Sequence, residues 1–255
     1  MILLLDIGNT NTHLGLGNSR RVVKHADIPT STWRNGSAKQ LTKRFVGTIA
    51  LNGCMICSVV PGVTALTIRL MKEVWNLPGL ELTATTLKGI GIDYPKPSTV
   101  GPDRLANAVS VWRHFGQPSV AVDFGTALTV DVVNEAGNYV GGIIAPGLAA
   151  MTEYLHEKAA LLPRIKIRDV KSVIGKSTEE AILIGAVLGY QGLVRRLLQD
   201  IRREVGGKRL PMVATGGYAR LMAAHLPEIT AVQPLLTLEG IRLTWYAHHG
   251  SIGTG

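Results

Sequence analysis

Two apolar runs along the chain end in the same polar turn. Residues 2–5 lead into Asp6-Ile7-Gly8-Asn9-Thr10-Asn11-Thr12, and residues 120–122 lead into Asp123-Phe124-Gly125-Thr126-Ala127-Leu128-Thr129. Each copy has Asp-x-Gly-[Asn/Thr], a Thr six residues beyond the Asp, more apolar residues and a glycine turn, at Gly15 to Gly17 and at Gly137. Short apolar runs bounded by turn residues predict buried strands, so each copy reads as a strand, a tight turn and a returning strand. Glycine one residue past the carboxylate would let the backbone approach a ligand closely. The turn amides and the Asn and Thr side chains could donate to phosphate oxygens, and the strand-end carboxylate could hold a metal ion or its waters. One such hairpin could be an ordinary turn; two, each after a buried strand, point to a duplicated domain with two ligand-facing turns.

The same reading along the chain predicts a third strand at 21–28, a helix at 32–46, a strand at 52–60 and a helix opened by Pro61-Gly62 and running to Trp75. A short strand follows at 80–84, then a helix from about 103 to 115. The second half predicts a meander over 120–133 and 139–144, a helix at 148–161, and a helix over 181–205 started by the capping box Ser177 and Glu180. A strand at 211–215 ends in Thr215-Gly216-Gly217, and helices at 218–225 and 235–249 complete the set. Strands alternating with helices predict an α/β fold, divided as 1–116 and 117–249 with a flexible tail at 250–255. Residues 90–104 differ: three prolines and two glycines make an ordered loop. It ends in Gly101-Pro102-Asp103-Arg104 at a helix start, which suits a charged ligand. Asp103 as a capping acid with a solvated Arg104 fits the residues equally well.

Composition adds limits. The 255 residues suffice for one large or two smaller domains, and 46% apolar against 18% charged residues predicts a folded chain. The formal charge of +9 admits nucleic acid or anionic small substrates as partners. The basic residues are dispersed, and the densest group, Arg195 to Arg203, falls on the outer face of an amphipathic helix, which argues against nucleic acid. Aromatics at 5% argue against a base-stacking platform. Cys54 and Cys57 lie three apart on a predicted strand, so their thiols point to opposite faces and cannot share a metal. Asp6 interrupts the first apolar run and no uninterrupted apolar run reaches membrane-spanning length, so a cytoplasmic location is expected.

Taken in order, Asp6-x-Gly8-Asn9-Thr10, Asp123-Phe124-Gly125-Thr126-Ala127 and Thr215-Gly216-Gly217 resemble the three nucleotide-contacting motifs of the actin-like ATPase superfamily. Tyr94-x-x-Pro97-x-x-x-Gly101-x-Asp103-Arg104, with Gly142-x-Ile144-x-Pro146-Gly147 and Gly175-x-Ser177-Thr178, narrows the resemblance to type III pantothenate kinases, collinear from residue 1 to about 246. The resemblance implies two ribonuclease H-like domains, each with a mixed five-stranded sheet, and an active site in the cleft between them. It implies transfer of phosphate from ATP to pantothenate, giving 4'-phosphopantothenate, the first step of coenzyme A synthesis. Asp6, Ile7, Gly8, Asn9, Thr10, Asn11, Thr12 and His13 would form the ATP phosphate loop, with Asp6 near Mg²⁺ and Thr126 a further ATP contact. Asp103 would be the proton acceptor, and Tyr94, Gly101, Pro102, Asp103, Arg104 and Thr178 would hold pantothenate. Asp123 would bind K⁺ or NH₄⁺, and the enzyme would be a homodimer. Two other readings remain open: an accessory factor for a transcriptional regulator, and an actin-like kinase for another small alcohol. The loop from Tyr94 to Arg104 argues against a sugar.

Overall fold

The computed structural model describes residues 1–206 and 209–250; the expected tail lies outside them beyond Gly250. The chain begins with strands β1 (Ile2–Ile7), β2 (Asn11–Gly17) and β3 (Val22–Pro29), then helices α1 (Ser31–Arg34) and α2 (Ala38–Val46). It continues through β4 (Gly53–Ser58), α3 (Pro61–Trp75), β5 (Gly79–Glu81), β6 (Gly91–Ile92) and α4 (Pro102–Phe115). The second half has β7 (Ser119–Phe124), β8 (Ala127–Val133), β9 (Asn138–Pro146), α5 (Leu148–Lys158) and α6 (Thr178–Val205). Strand β10 (Met212–Thr215), α7 (Ala219–Ala223), β11 (Ala231–Val232) and α8 (Leu236–His248) close it. Contacts group residues 1–114, 137–140 and those from 235 onward into one unit, and 115–136 with 141–234 into a second.

The duplication read from the hairpins is present in the topology. The first sheet has the order β3-β2-β1-β4-β5, and the second runs β11-β10-β7-β8-β9-β6. Reading β7 for β1, β8 for β2, β9 for β3, β10 for β4 and β11 for β5 reproduces the first order, with the two-residue β6 added at the edge. The second sheet therefore has six strands rather than the expected five. In both, the leading strand runs antiparallel to its hairpin partner and parallel to the strand on its other side. Strand β1 is central, and Leu3, Leu4, Leu5 and Ile7 are fully buried, as expected of a continuous apolar run covered on both faces. On one face Leu3, Leu5 and Ile7 pack with Trp33, Phe45, Val63 and Met71 from α1, α2 and α3. On the other, Leu4 meets Leu238 of α8 across Gly15.

The expected helix at 32–46 is two helices. Asn35 Oδ1 accepts from the Ser37 amide at 3.1 Å and its hydroxyl at 2.7 Å, a local turn that competes with helical bonding. The strand expected at 80–84 stops at Glu81 because Thr83 and Thr86 take over the backbone bonding. Helix α6 is long and apolar enough by composition to cross a membrane. Its buried residues, Leu183, Ala186, Val187, Tyr190, Val194, Leu198 and Ile201, recur at helical spacing, so it presents one core stripe. On its outer face Arg196 and Arg203 both pair with Asp200, at 2.6 and 2.9 Å.

Candidate active site

The first hairpin projects Gly8, Asn9, Thr10 and Asn11 from the end of β1, with Asn9 to Asn11 exposed. The Gly8 amide closes the turn on the Asn11 carbonyl at 2.9 Å. Ile7 and Thr12 have buried side chains, and the Thr12 hydroxyl bonds that of Thr30 and accepts from Trp33 Nε1, both at 3.0 Å. Those two residues can face a nucleotide only through their main chain. His13 lies in β2 rather than in the turn, where it bonds its cross-strand partner Asp27 at 2.7 Å.

Asp6 is half-buried at the end of β1, opposite His13 on one side and Cys57 of β4 on the other. Side chains paired across parallel strands leave the same face of the sheet, so Cys57 stands beside the Asp6 carboxylate and donates its S–H to it. Cys54 points to the opposite face and joins the cluster around Leu3, as its spacing requires. Both thiols are free and fully buried. Burial pushes the Cys57 thiol well up, and the charges of Asp6 and then Asp103 push it further, so it stays protonated.

Asp103 stands in the first turn of α4. Its Oδ1 accepts from the Arg104 amide at 2.9 Å. Burial raises its pKa above the ordinary carboxylate range, opposed by the Arg104 amide and guanidinium. Gly101 makes room for this carboxylate, because a methyl there would lie 2.5 Å from Oδ1. Tyr94 and Arg104, from the two ends of the proline-rich loop, both meet the ring of Tyr139.

In the second unit Asp123 pairs with Thr129 of β8 and Thr215 of β10. Gly216 adopts φ +90°, a conformation glycine tolerates, and a methyl there would fall 2.4 Å from Asp123 Oδ1. Tyr190 of α6 is buried beside Phe124; its hydroxyl finds no hydrogen-bond partner among the described residues. Burial first, and then the charge of Asp123, pushes this phenol up to about 12. A carboxylate oxygen held in a tight glycine cradle is the kind of hard oxygen ligand a monovalent cation takes. Thr126 is exposed, and its carbonyl accepts from the Gly147 amide at 3.2 Å. Thr178 is the exposed first residue of α6, where Ser177 Oγ accepts from the Glu180 amide at 3.2 Å. The Glu180 carboxylate reaches the Lys176 amide at 2.7 Å, one residue earlier than a standard capping box. The sequence placed Cys57 on a buried strand without showing that it neighbours Asp6, and it gave no sign of Tyr139 or Tyr190.

The repeated five-strand order and paired Asp-x-Gly hairpins define an actin-like ATPase fold of the kind used by small-molecule kinases. A putative N-acetylglucosamine kinase from Porphyromonas gingivalis superposes with a TM-score of 0.52 at 12% identity, covering 98% of this chain and 100% of its own. A conserved putative Baf family transcriptional activator from Campylobacter jejuni does so with a TM-score of 0.60 at 18% identity, covering 97% and 99%. Identities that low speak for the fold alone. A sequence profile of the type III pantothenate kinases matches residues 2–200. A type III pantothenate kinase from Methylacidiphilum infernorum is 42% identical over 244 residues, 95% of this chain and 87% of the relative. The chain belongs to the type III pantothenate kinase family.

Proposed function

We propose that this kinase transfers the γ-phosphoryl group of ATP to the primary hydroxyl of pantothenate, opening coenzyme A synthesis, with Asp103 as the proton acceptor. The observation that carries the assignment is the Asp103 carboxylate: half-buried, raised in pKa, and set at a helix start beside Arg104. A primary alcohol attacks once its proton has a place to go, and a positioned carboxylate contributes about 10²–10⁴-fold. The raised pKa brings Asp103 closer to the basicity that proton transfer near neutral pH needs. Arg104 offsets negative charge on the substrate carboxylate or the transferring phosphate, while Tyr94, Gly101, Pro102 and Thr178 complete the pantothenate contacts.

Gly8 to Asn11 hold the ATP phosphates through turn amides and short polar side chains, and Thr126 adds a contact from the second hairpin. Asp6 suits Mg²⁺, which takes only one or two protein carboxylates and, when bound, neutralises phosphate charge. Cys57 keeps that carboxylate oriented without adding charge. Asp123, cradled by Gly216, would hold K⁺ or NH₄⁺. The exposed apolar side chains of Ile144, Tyr154, Leu161, Val173 and Ile174 support a homodimer. A kinase of this metabolite would work in the cytoplasm.

The test is a coupled assay of the purified chain with ATP, Mg²⁺ and K⁺ against pantothenate and N-acetylglucosamine. Pantothenate alone is expected to turn over; turnover of the sugar without pantothenate would overturn the assignment.

A further inference from the structure

Tyr139 belongs to none of the motifs, yet it touches both side chains on which substrate recognition depends. It sits in residues 137–140, which pack in the first unit although the second half of the chain supplies them. Its ring is fully buried. The Tyr94 ring meets it edge-on, with centroids 6.0 Å apart and planes at 62°. The Arg104 guanidinium carbon stands 5.8 Å from the same centroid. The main chain of Tyr139 contributes as well: it pairs with Ile92, and its carbonyl accepts from the Asp93 amide at 2.9 Å. One residue therefore anchors the start of the loop through its backbone and both recognition side chains through its ring.

The contacts match the chemistry of the ring. An aromatic ring is negative on its face and positive at its edge, so its face attracts a cation and it favours an edge-to-face aromatic neighbour. Held this way, a guanidinium loses less freedom when its fork of N–H groups engages a carboxylate.

We propose that Tyr139 is a positioning residue for substrate recognition: its ring fixes Arg104 and Tyr94 to receive the carboxylate end of a small hydroxy acid. This rests on the pantothenate reading, and its effect falls on substrate binding and not on ATP. In steady-state assays, Tyr139→Leu, which keeps an apolar side chain but removes the aromatic face, is expected to raise KM for pantothenate about tenfold. KM for ATP should stay within about twofold, and Tyr139→Phe, which keeps the face, should hold KM for pantothenate within about twofold of wild type whatever its effect on stability. If the Leu variant does not fold, pentafluorophenylalanine at 139 keeps the volume and reverses the ring's charge distribution; it too should raise KM for pantothenate relative to Phe. Unchanged KM for pantothenate in the folded variant, or an equal rise in both KM values, overturns the proposal. Absence of wild-type turnover with pantothenate would instead overturn the function on which it rests.

Discussion

Gly101→Ala should disable Asp103, the proposed base, without unfolding the protein. The added methyl would sit 2.5 Å from Asp103 Oδ1, with the next atoms, Asp103 Cγ and Arg104 Cγ, 3.7 Å away. The backbone at this glycine is not in the left-handed region, so alanine strains nothing there. The whole conflict therefore falls on one carboxylate oxygen. Moving it out to a contact of 3.0 to 3.4 Å needs a displacement of about 0.5 to 0.9 Å. Such a shift lengthens the bond from the Arg104 amide to Oδ1 and misplaces the proton acceptor. Misplacement of about 1 Å can cost on the order of 10²-fold in rate, or about 2.7 kcal/mol of barrier. The stability terms oppose each other: replacing Gly by Ala at a compatible position gains about 0.4–1 kcal/mol through the unfolded chain, and weakening one hydrogen bond loses about 1 kcal/mol. Steady-state kinetics beside thermal denaturation should thus show kcat down about a hundredfold with an almost unchanged Tm. Wild-type kcat would refute the placement of Asp103 as base, and a collapsed Tm would refute the claim that the clash is confined to its carboxylate.

Asp103→Asn should lower kcat by about 10²–10⁴-fold while ATP binding persists, measured by nucleotide titration. Because burial raises the Asp103 pKa, the folded state holds the proton more tightly than the unfolded chain. Wild-type stability therefore falls as pH rises upward from the ordinary carboxylate range, and the Asn variant should gain stability relative to wild type between pH 4 and 7 in thermal melts. Replacing K⁺ by Na⁺ should lower both activity and Tm, and Asp123→Ala should abolish the difference; equal behaviour of the wild type in the two salts would contradict the cation assignment. Arg242 is almost fully buried, pairs with Glu239 at 2.6 Å and donates to the Ser19 carbonyl at 2.9 Å. Arg242→Ala, which takes the counter-charge from Glu239 and leaves its carboxylate only the Val22 amide, should cost about 3 kcal/mol in denaturant titration.

What the sequence revealed follows the range of the interactions involved. The apolar runs before Asp6 and Asp123 are local, and so both leading strands and both hairpins are legible. Strand register is another matter. The offset of six residues from Asp to Thr is the same in both copies, yet Thr12 pairs with Ile7 while Thr129 pairs with Asp123. The second turn closes earlier, Gly125 bonding the Ala127 carbonyl where Gly8 reaches Asn11, and turn length sets pairing. The opposite facing of Cys54 and Cys57 follows from their spacing, but that Cys57 would lie beside Asp6 depends on β1 pairing with β4, a contact between distant segments. Tyr139 and Tyr190 look like any aromatic in an apolar run; only the assembled sheets and helices show what their rings and hydroxyls meet.

Helix α8 bears on how the protein is made. Its Leu238 covers Leu4, its Glu239 accepts from the Val22 amide, and its Arg242 secures the carbonyls of Asn18 and Ser19. Domains generally fold in the order in which the ribosome releases them. Here the unit that contains β1 lacks one of its covering layers until α8, more than two hundred residues further along the chain, has been translated. A chain cut short before Leu236 would carry the whole first hairpin and the start of α4 with Asp103, and would still leave the Leu4 face of its first sheet open to chaperones or to aggregation.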